Sequence, residues 1–220
     1  MYVGECWASV GRVSGECRAG VRRMWMSVEE CRCVSVCKLI DADNAMNQPL
    51  FHIVLHEPEI PNNTGNIGRT AVATGCSLHL IKPLAFDTGE KACRRAGLDY
   101  WARLSPTEHD GFDAYRAATA ALGSSVAPTR WLFTSKATRT IHEVLLSPGD
   151  HLVFGKETRG LPDELLAAFP ESLVTLPMMP GERSLNLATA VCAAVYLGID
   201  QLVRSGRLGL DSGRLGALRP

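Results

Sequence analysis

The chain has 220 residues, and its 23 lysines and arginines are balanced by 23 aspartates and glutamates. That length holds one domain of roughly 150–200 residues plus an extension. A formal charge of zero argues against a polybasic nucleic-acid coat or a membrane-surface protein, and leaves room only for a local basic patch.

Residues 1–45 carry no sustained hydrophobic period and lack the continuous apolar core of a secretory signal. Five of the eight cysteines fall here. Cys31-x-Cys33-x3-Cys37 lacks the paired two-residue spacings of a zinc ribbon and has no histidine nearby, so no metal is expected. Cys76, Cys93 and Cys192 sit singly among apolar neighbours and read as small core residues in a reducing compartment. At Met46 the character changes, because MNQPLFHIVLHEP looks like a natural start followed by a first strand. The expected organisation is an irregular N-terminal extension over 1–45, disordered or upstream of the true start, then a folded domain over 46–205 and a flexible tail over 206–220.

Short apolar runs predict strands at Phe51–Leu55, Leu78–Lys82, Trp131–Thr134, His151–Phe154 and Leu173–Leu176. Helices are expected at Asn66–Thr74, Phe112–Leu122, Asp163–Phe169 (with Pro162 near its start) and Leu185–Val203. The last contains Asn186, Asp200 and Gln201 and reads as a buried helix rather than a membrane span. This alternation predicts an α/β fold, a parallel sheet with helices on both faces.

Three segments interrupt ordinary α/β sequence. EPEIPNNTGNIGRT, Glu57–Thr70, joins a rigid proline loop to Asn62, Asn63, Thr64 and Asn66 at a helix start, with Arg69 in the first turn. A helix N-terminus beside an arginine suits a phosphate, although a plain turn and cap explains the segment as well. It matches neither a dinucleotide fingerprint nor a Walker loop. FGKETRGLP, Phe154–Pro162, closes a strand with Gly155, which admits a close ligand, and places Glu157 and Arg159 where open α/β sheets hold theirs. A surface ion pair is the bland alternative. LPMMPGERSLNLATAV, Leu176–Val191, is a constrained loop between a strand and a helix. Taken alone it reads equally as a helix cap, with Ser184 capping and Asn186 incidental, or as a ligand loop.

No nucleophile–base pair stands out, and there is no G-x-S-x-G or H-E-x-x-H. His79 and His151 lie in predicted strands and read as core or edge residues. Positioning and electrostatics with a bound cosubstrate fit better than covalent hydrolysis.

In order and spacing, Asn63–Arg69, Phe154–Leu161 and Pro177–Ala190 resemble the three motifs of the SPOUT superfamily of RNA methyltransferases. Within it, EPEIPNNTGNIGRT and RRAGLDYW at Arg94–Trp101 resemble the small tRNA (cytidine/uridine-34)-2′-O-methyltransferases of the TrmL type, over about residues 49–204. The resemblance implies a C-terminal trefoil knot, S-adenosyl-L-methionine bound in it, a cytoplasmic homodimer, and methyl transfer to the ribose 2′-hydroxyl of the wobble nucleotide in the tRNA anticodon loop. Arg69, Glu157, Ser184 and Asn186 take the catalytic motif positions, and Phe133, Gly155, Leu176 and Ser184 the cofactor pocket. Phe133 stands where a smaller aliphatic residue is expected, so its contact is through the main chain. Since a guanidinium stays protonated, the role implied for Arg69 is to stabilise the developing alkoxide and clamp the adjacent phosphate. Arg69, Arg159 and Arg183 are the expected RNA-binding residues, with Arg94, Arg95, Lys136 and Arg139 as further basic contacts. The alternatives are 2′-O-methylation of another tRNA position or of rRNA, and a non-catalytic RNA-binding protein on the same fold.

Overall fold

The computed structural model describes residues 48–89, 98–120 and 128–219. The expected extension over 1–45, including its cysteine cluster, lies outside the described residues, as do Arg94 and Arg95.

Six strands form one parallel sheet: β1 (His52–His56), β2 (Ser77–Ile81), β3 (Thr107–His109), β4 (Arg130–Phe133), β5 (His151–Phe154) and β6 (Leu173–Val174), in the order β3-β2-β1-β5-β4-β6. The central strands are apolar runs because both of their faces are covered; all five residues of β1 are buried.

Side chains alternate between two cores, as the period of two demands. On one face Phe51, Ile53 and Leu55 meet Leu78, Leu80, Leu152 and Phe154 under helices α1 (Pro61–Thr74) and α5 (Leu187–Arg204), joined by the short α2 (Trp101–Leu104). On the other, Val54, Ile81, Leu132 and Val153 pack with Tyr115 of α3 (Phe112–Ala120) and Leu166 of α4 (Asp163–Ala168). This is the expected layered arrangement. α5 is long and apolar enough to cross a membrane, but Val191, Ala194, Val195, Ile199 and Leu202 form a stripe buried in the core. Gly198 belongs to that stripe because Phe51 and Leu146 leave no room for a Cβ.

Several boundaries differ from expectation. α1 begins at Pro61, not Asn66: proline takes the first helical position, where its missing N–H costs nothing, and Gly65 and Gly68 face the segment carrying Leu98, Tyr100 and Trp101. The strand expected over Leu173–Leu176 ends at Val174, because Thr175 hydrogen-bonds instead to Arg139 O and Ile141 N. Residues 206–220 contain an antiparallel hairpin, β7 (Leu208–Asp211) and β8 (Arg214–Leu218), anchored by buried Leu208 and by Arg207, which donates to Ser147 Oγ at 3.2 Å.

A row of histidines lies on the α3 side of the sheet. His109 Nε2 meets His79 Nδ1 at 3.0 Å, and His79 Nε2 meets His52 Nδ1 at 2.9 Å. His52 stacks on His151 with ring centroids 4.3 Å apart, and His151 Nδ1 meets Tyr115 OH at 2.6 Å. Burial holds these imidazoles neutral: His52 falls to about 4, His79 to about 3 and His151 to about 2, and His109 is lowered as well. The core role read for His79 and His151 therefore extends to a connected array, although His151 Nε2 finds no partner among the described residues.

Candidate active site

The three unusual segments converge at the carboxyl ends of the strands, the usual ligand side of an open α/β sheet. The β1–α1 loop and the loop after β5 clasp each other residue by residue. Lys156 Nζ pairs with Glu57 Oε2 at 2.6 Å. Glu59 accepts from the Thr158 backbone N–H and hydroxyl, both at 3.1 Å. Between them Glu157 accepts from the backbone N–H of Glu59 at 2.9 Å and of Ile60 at 3.2 Å, and from Asn63 Nδ2 at 2.9 Å. The carboxylate thus satisfies the two backbone N–H groups just ahead of α1 and fixes the Asn63 side chain, while Ile60 at the N-cap makes no side-chain bond.

The third segment joins through Asn63. Asn186 Nδ2 donates to Asn63 Oδ1 at 3.0 Å, while Asn186 Oδ1 accepts from the backbone N–H groups of Ala188 and Thr189. Asn186 is therefore the cap of α5; Ser184 is not, and lies exposed two residues outside it. Asn63, 6% exposed, links all three segments. As a sequence feature it is only one more polar residue at a helix start, and its burial is what marks it out.

Gly155 has a steric reason to be glycine as well. A Cβ there would lie 2.0 Å from Gly160 C and 2.2 Å from Leu161 N, so the residue is glycine because the Lys156–Gly160 turn folds back over it. Phe133 ends β4 with its ring stacked on Phe154, centroids 4.5 Å apart, so its side chain is committed to the core. Leu176 is partly buried against that core. Beyond it the 177–186 loop is largely exposed, leaving Met179 at 76% and Leu185 at 42% exposure.

Arg69 is not drawn into the Asn63 cluster. Asn62, Asn66 and Arg69 share the exposed face of α1, while Asn63 faces inward. The Arg69 guanidinium lies 4.9 Å from the Tyr100 ring centroid. Arg159 and Arg183 are exposed. Lys136 and Arg139 are not free charges: Lys136 pairs with Asp163, and Arg139 with Glu171 at 3.4 Å.

The family model described as the SpoU rRNA Methylase family matches residues 50–196. A curated relative from Saccharophagus degradans, named tRNA (cytidine(34)-2′-O)-methyltransferase, is 46% identical over 159 residues, 71% of this chain and 99% of its own. A solved structure reported as "Structural insights into the 2-OH methylation of C/U34 on tRNA" superimposes with a TM-score of 0.63 at 42% identity, covering 70% of this chain and 97% of its own. A putative RNA methyltransferase from Bacillus anthracis gives a TM-score of 0.64 at 34% identity, covering 71% and 96%.

Proposed function

Because this chain belongs to the SpoU rRNA methylase family, we propose that it methylates the ribose 2′-hydroxyl of a pyrimidine at the wobble position, nucleotide 34, of tRNA. The observation that carries the reading is likeness over full length: the Saccharophagus relative is matched over 99% of its own chain, so the whole of that enzyme has a counterpart here.

S-adenosyl-L-methionine, when bound, supplies the methyl group as an electrophilic sulfonium. The residues at the strand ends suit such a molecule. Loop backbone around Phe133, Gly155 and Leu176 offers donors and acceptors to an adenine edge, and exposed Met179 and Leu185 offer it an apolar surface. Ser184 would take part in holding it. Arg69, exposed on α1, stabilises the alkoxide that develops on the attacking ribose oxygen and clamps the adjacent phosphate through its planar fork, and the hydroxyl proton passes to that phosphate. Glu157 and Asn186 act through others: the oxygens of Glu157 are taken up by Glu59, Ile60 and Asn63, so it positions the start of α1. Arg159 and Arg183, exposed on the two flanking loops, contact RNA phosphates.

We further infer that the segment after β5 is threaded as a trefoil knot. Thr175 bonded to both Arg139 and Ile141 supports this, because the 134–141 loop closes on it. A cytoplasmic homodimer completes the reading. Ile60, Met179, Leu185 and Tyr196 leave apolar surface uncovered around the motif loops and α5, and Cys76 and Cys192 are free thiols.

The test is methylation of bulk tRNA with labelled S-adenosyl-L-methionine, followed by mapping of the labelled nucleotide. Label on the ribose of nucleotide 34 is expected. Label elsewhere, or on rRNA, rejects the assignment. Absence of cofactor binding by calorimetry rejects any methyltransferase reading, in favour of RNA binding alone.

A further inference from the structure

A cavity of about 400 Å³ lies among the described residues between α1 and the two segments carrying Phe86 and Tyr100–Trp101. That volume falls in the range of small-molecule sites. One wall is the exposed face of α1, where Asn62, Asn66 and Arg69 stand one above another. The other wall carries part-exposed Phe86 and the almost fully buried Tyr100 and Trp101. That wall is braced, since Trp101 Nε1 donates to Thr88 O at 3.2 Å and Tyr100 OH donates to Gly65 O at 2.5 Å. Thr64, also in the lining, is 1% exposed, and its hydroxyl has no partner among the described residues.

We propose that this cavity seats the base of the nucleotide being methylated, with Asn62 and Asn66 reading its edge and Phe86 against its face. This rests on the function proposed above. Arg69 is common to the two sites. If it serves the ribose oxygen, the base attached to that ribose falls on the same side of α1, and this cavity is what lies there. An unstacked base needs an aromatic surface and hydrogen bonds to its edge, and the two walls supply one each. A carboxamide carries both a donor and an acceptor. Two of them therefore serve the N4 amino group of cytosine and the O4 carbonyl of uracil alike.

The test uses the full-length enzyme with Asn62→Ala, Asn66→Ala and Phe86→Ala, on tRNA transcripts that differ only in carrying a pyrimidine or a purine at nucleotide 34. Asn62 and Asn66 are exposed, so truncation leaves the fold intact, and calorimetry of S-adenosyl-L-methionine binding checks this for each variant. The expected result is a fall of about tenfold or more in kcat/KM on the pyrimidine transcripts with unchanged cofactor affinity. Variants that bind cofactor normally and keep the wild-type rate overturn the proposal. Failure of the wild-type enzyme to methylate nucleotide 34 overturns instead the reading on which it rests, and is seen before any variant is made.

Discussion

Asn63 and Asn186, 123 residues apart in sequence, share a hydrogen bond of 3.0 Å between their side-chain amides. Each amide also does a second task at a helix start: Asn63 reaches Glu157, and Asn186 caps α5. The entrances of the two helices covering one face of the sheet are thereby fixed to each other.

Removing the shared partner should loosen both. Asn63→Ala leaves Glu157 and Asn186 each one bond short in a part-buried setting, at a cost of about 1–3 kcal/mol. Thermal unfolding measures this. Asn186→Ala should lose the cap of α5 as well, with about 0.5–2 kcal/mol from that source alone.

Arg69→Lys tests the role proposed for the guanidinium. Arg69 is exposed, so stability and cofactor binding should be unchanged. Turnover should fall by about a hundredfold, because one ammonium cannot replace a planar fork directed at two oxygens. A lysine variant with near-wild-type turnover would contradict the role.

The two close-packed glycines should respond differently to alanine. At Gly155 the new Cβ meets backbone at 2.0 and 2.2 Å, which no rotamer change relieves; a loss of more than about 3 kcal/mol is expected. At Gly198 it meets the ends of the Phe51 and Leu146 side chains at 2.8 and 2.9 Å, which can shift, for about 1–3 kcal/mol. Denaturant unfolding of the two variants compares them directly.

The histidine array sets an acid limit. His52, His79 and His151 stay neutral in the folded protein down to about 4, 3 and 2, whereas in the unfolded chain they take up protons near the ordinary value of 6.5. The stability tied to their neutrality is therefore fully present above pH 6.5 and is lost as the pH falls towards the folded values. Each histidine contributes a slope of about 1.4 kcal/mol per pH unit in that window. Urea midpoints measured from pH 7.5 down to 4.5 should drop steeply below 6.5, and a flat profile would show that the array is open to water.

The parallel core was legible in the sequence because five of its strands are short, mainly apolar runs, and the three motif segments stood out for their proline, glycine and asparagine content. β3 was not legible: Thr-Glu-His is an edge strand with no apolar period, recruited only by pairing with β2. The start of α1 was read as loop because Pro61, Asn62, Asn63 and Gly65 are all poor helix residues, and what holds them helical is a carboxylate 94 residues further along the chain from Asn63. The hairpin over 208–218 was hidden by its glycines and arginines, since its stability comes from Leu208 entering the core. The histidine array had a faint signal: His52, His79 and His151 each sit two places before an apolar residue of the α3-side core, but register between strands cannot be read from one strand at a time.

The clasp around Glu157 also dictates an order of events during synthesis. Residues 57–63 leave the ribosome early, yet their partners at Lys156, Glu157 and Thr158 follow roughly a hundred residues later, and Asn186 later still. α1 therefore waits with an unfinished entrance until most of the sheet has been made. The site closes only on a nearly complete protein, and a chain that stalls before Asn186 carries Arg69 and its neighbours without the contacts that fix them in place.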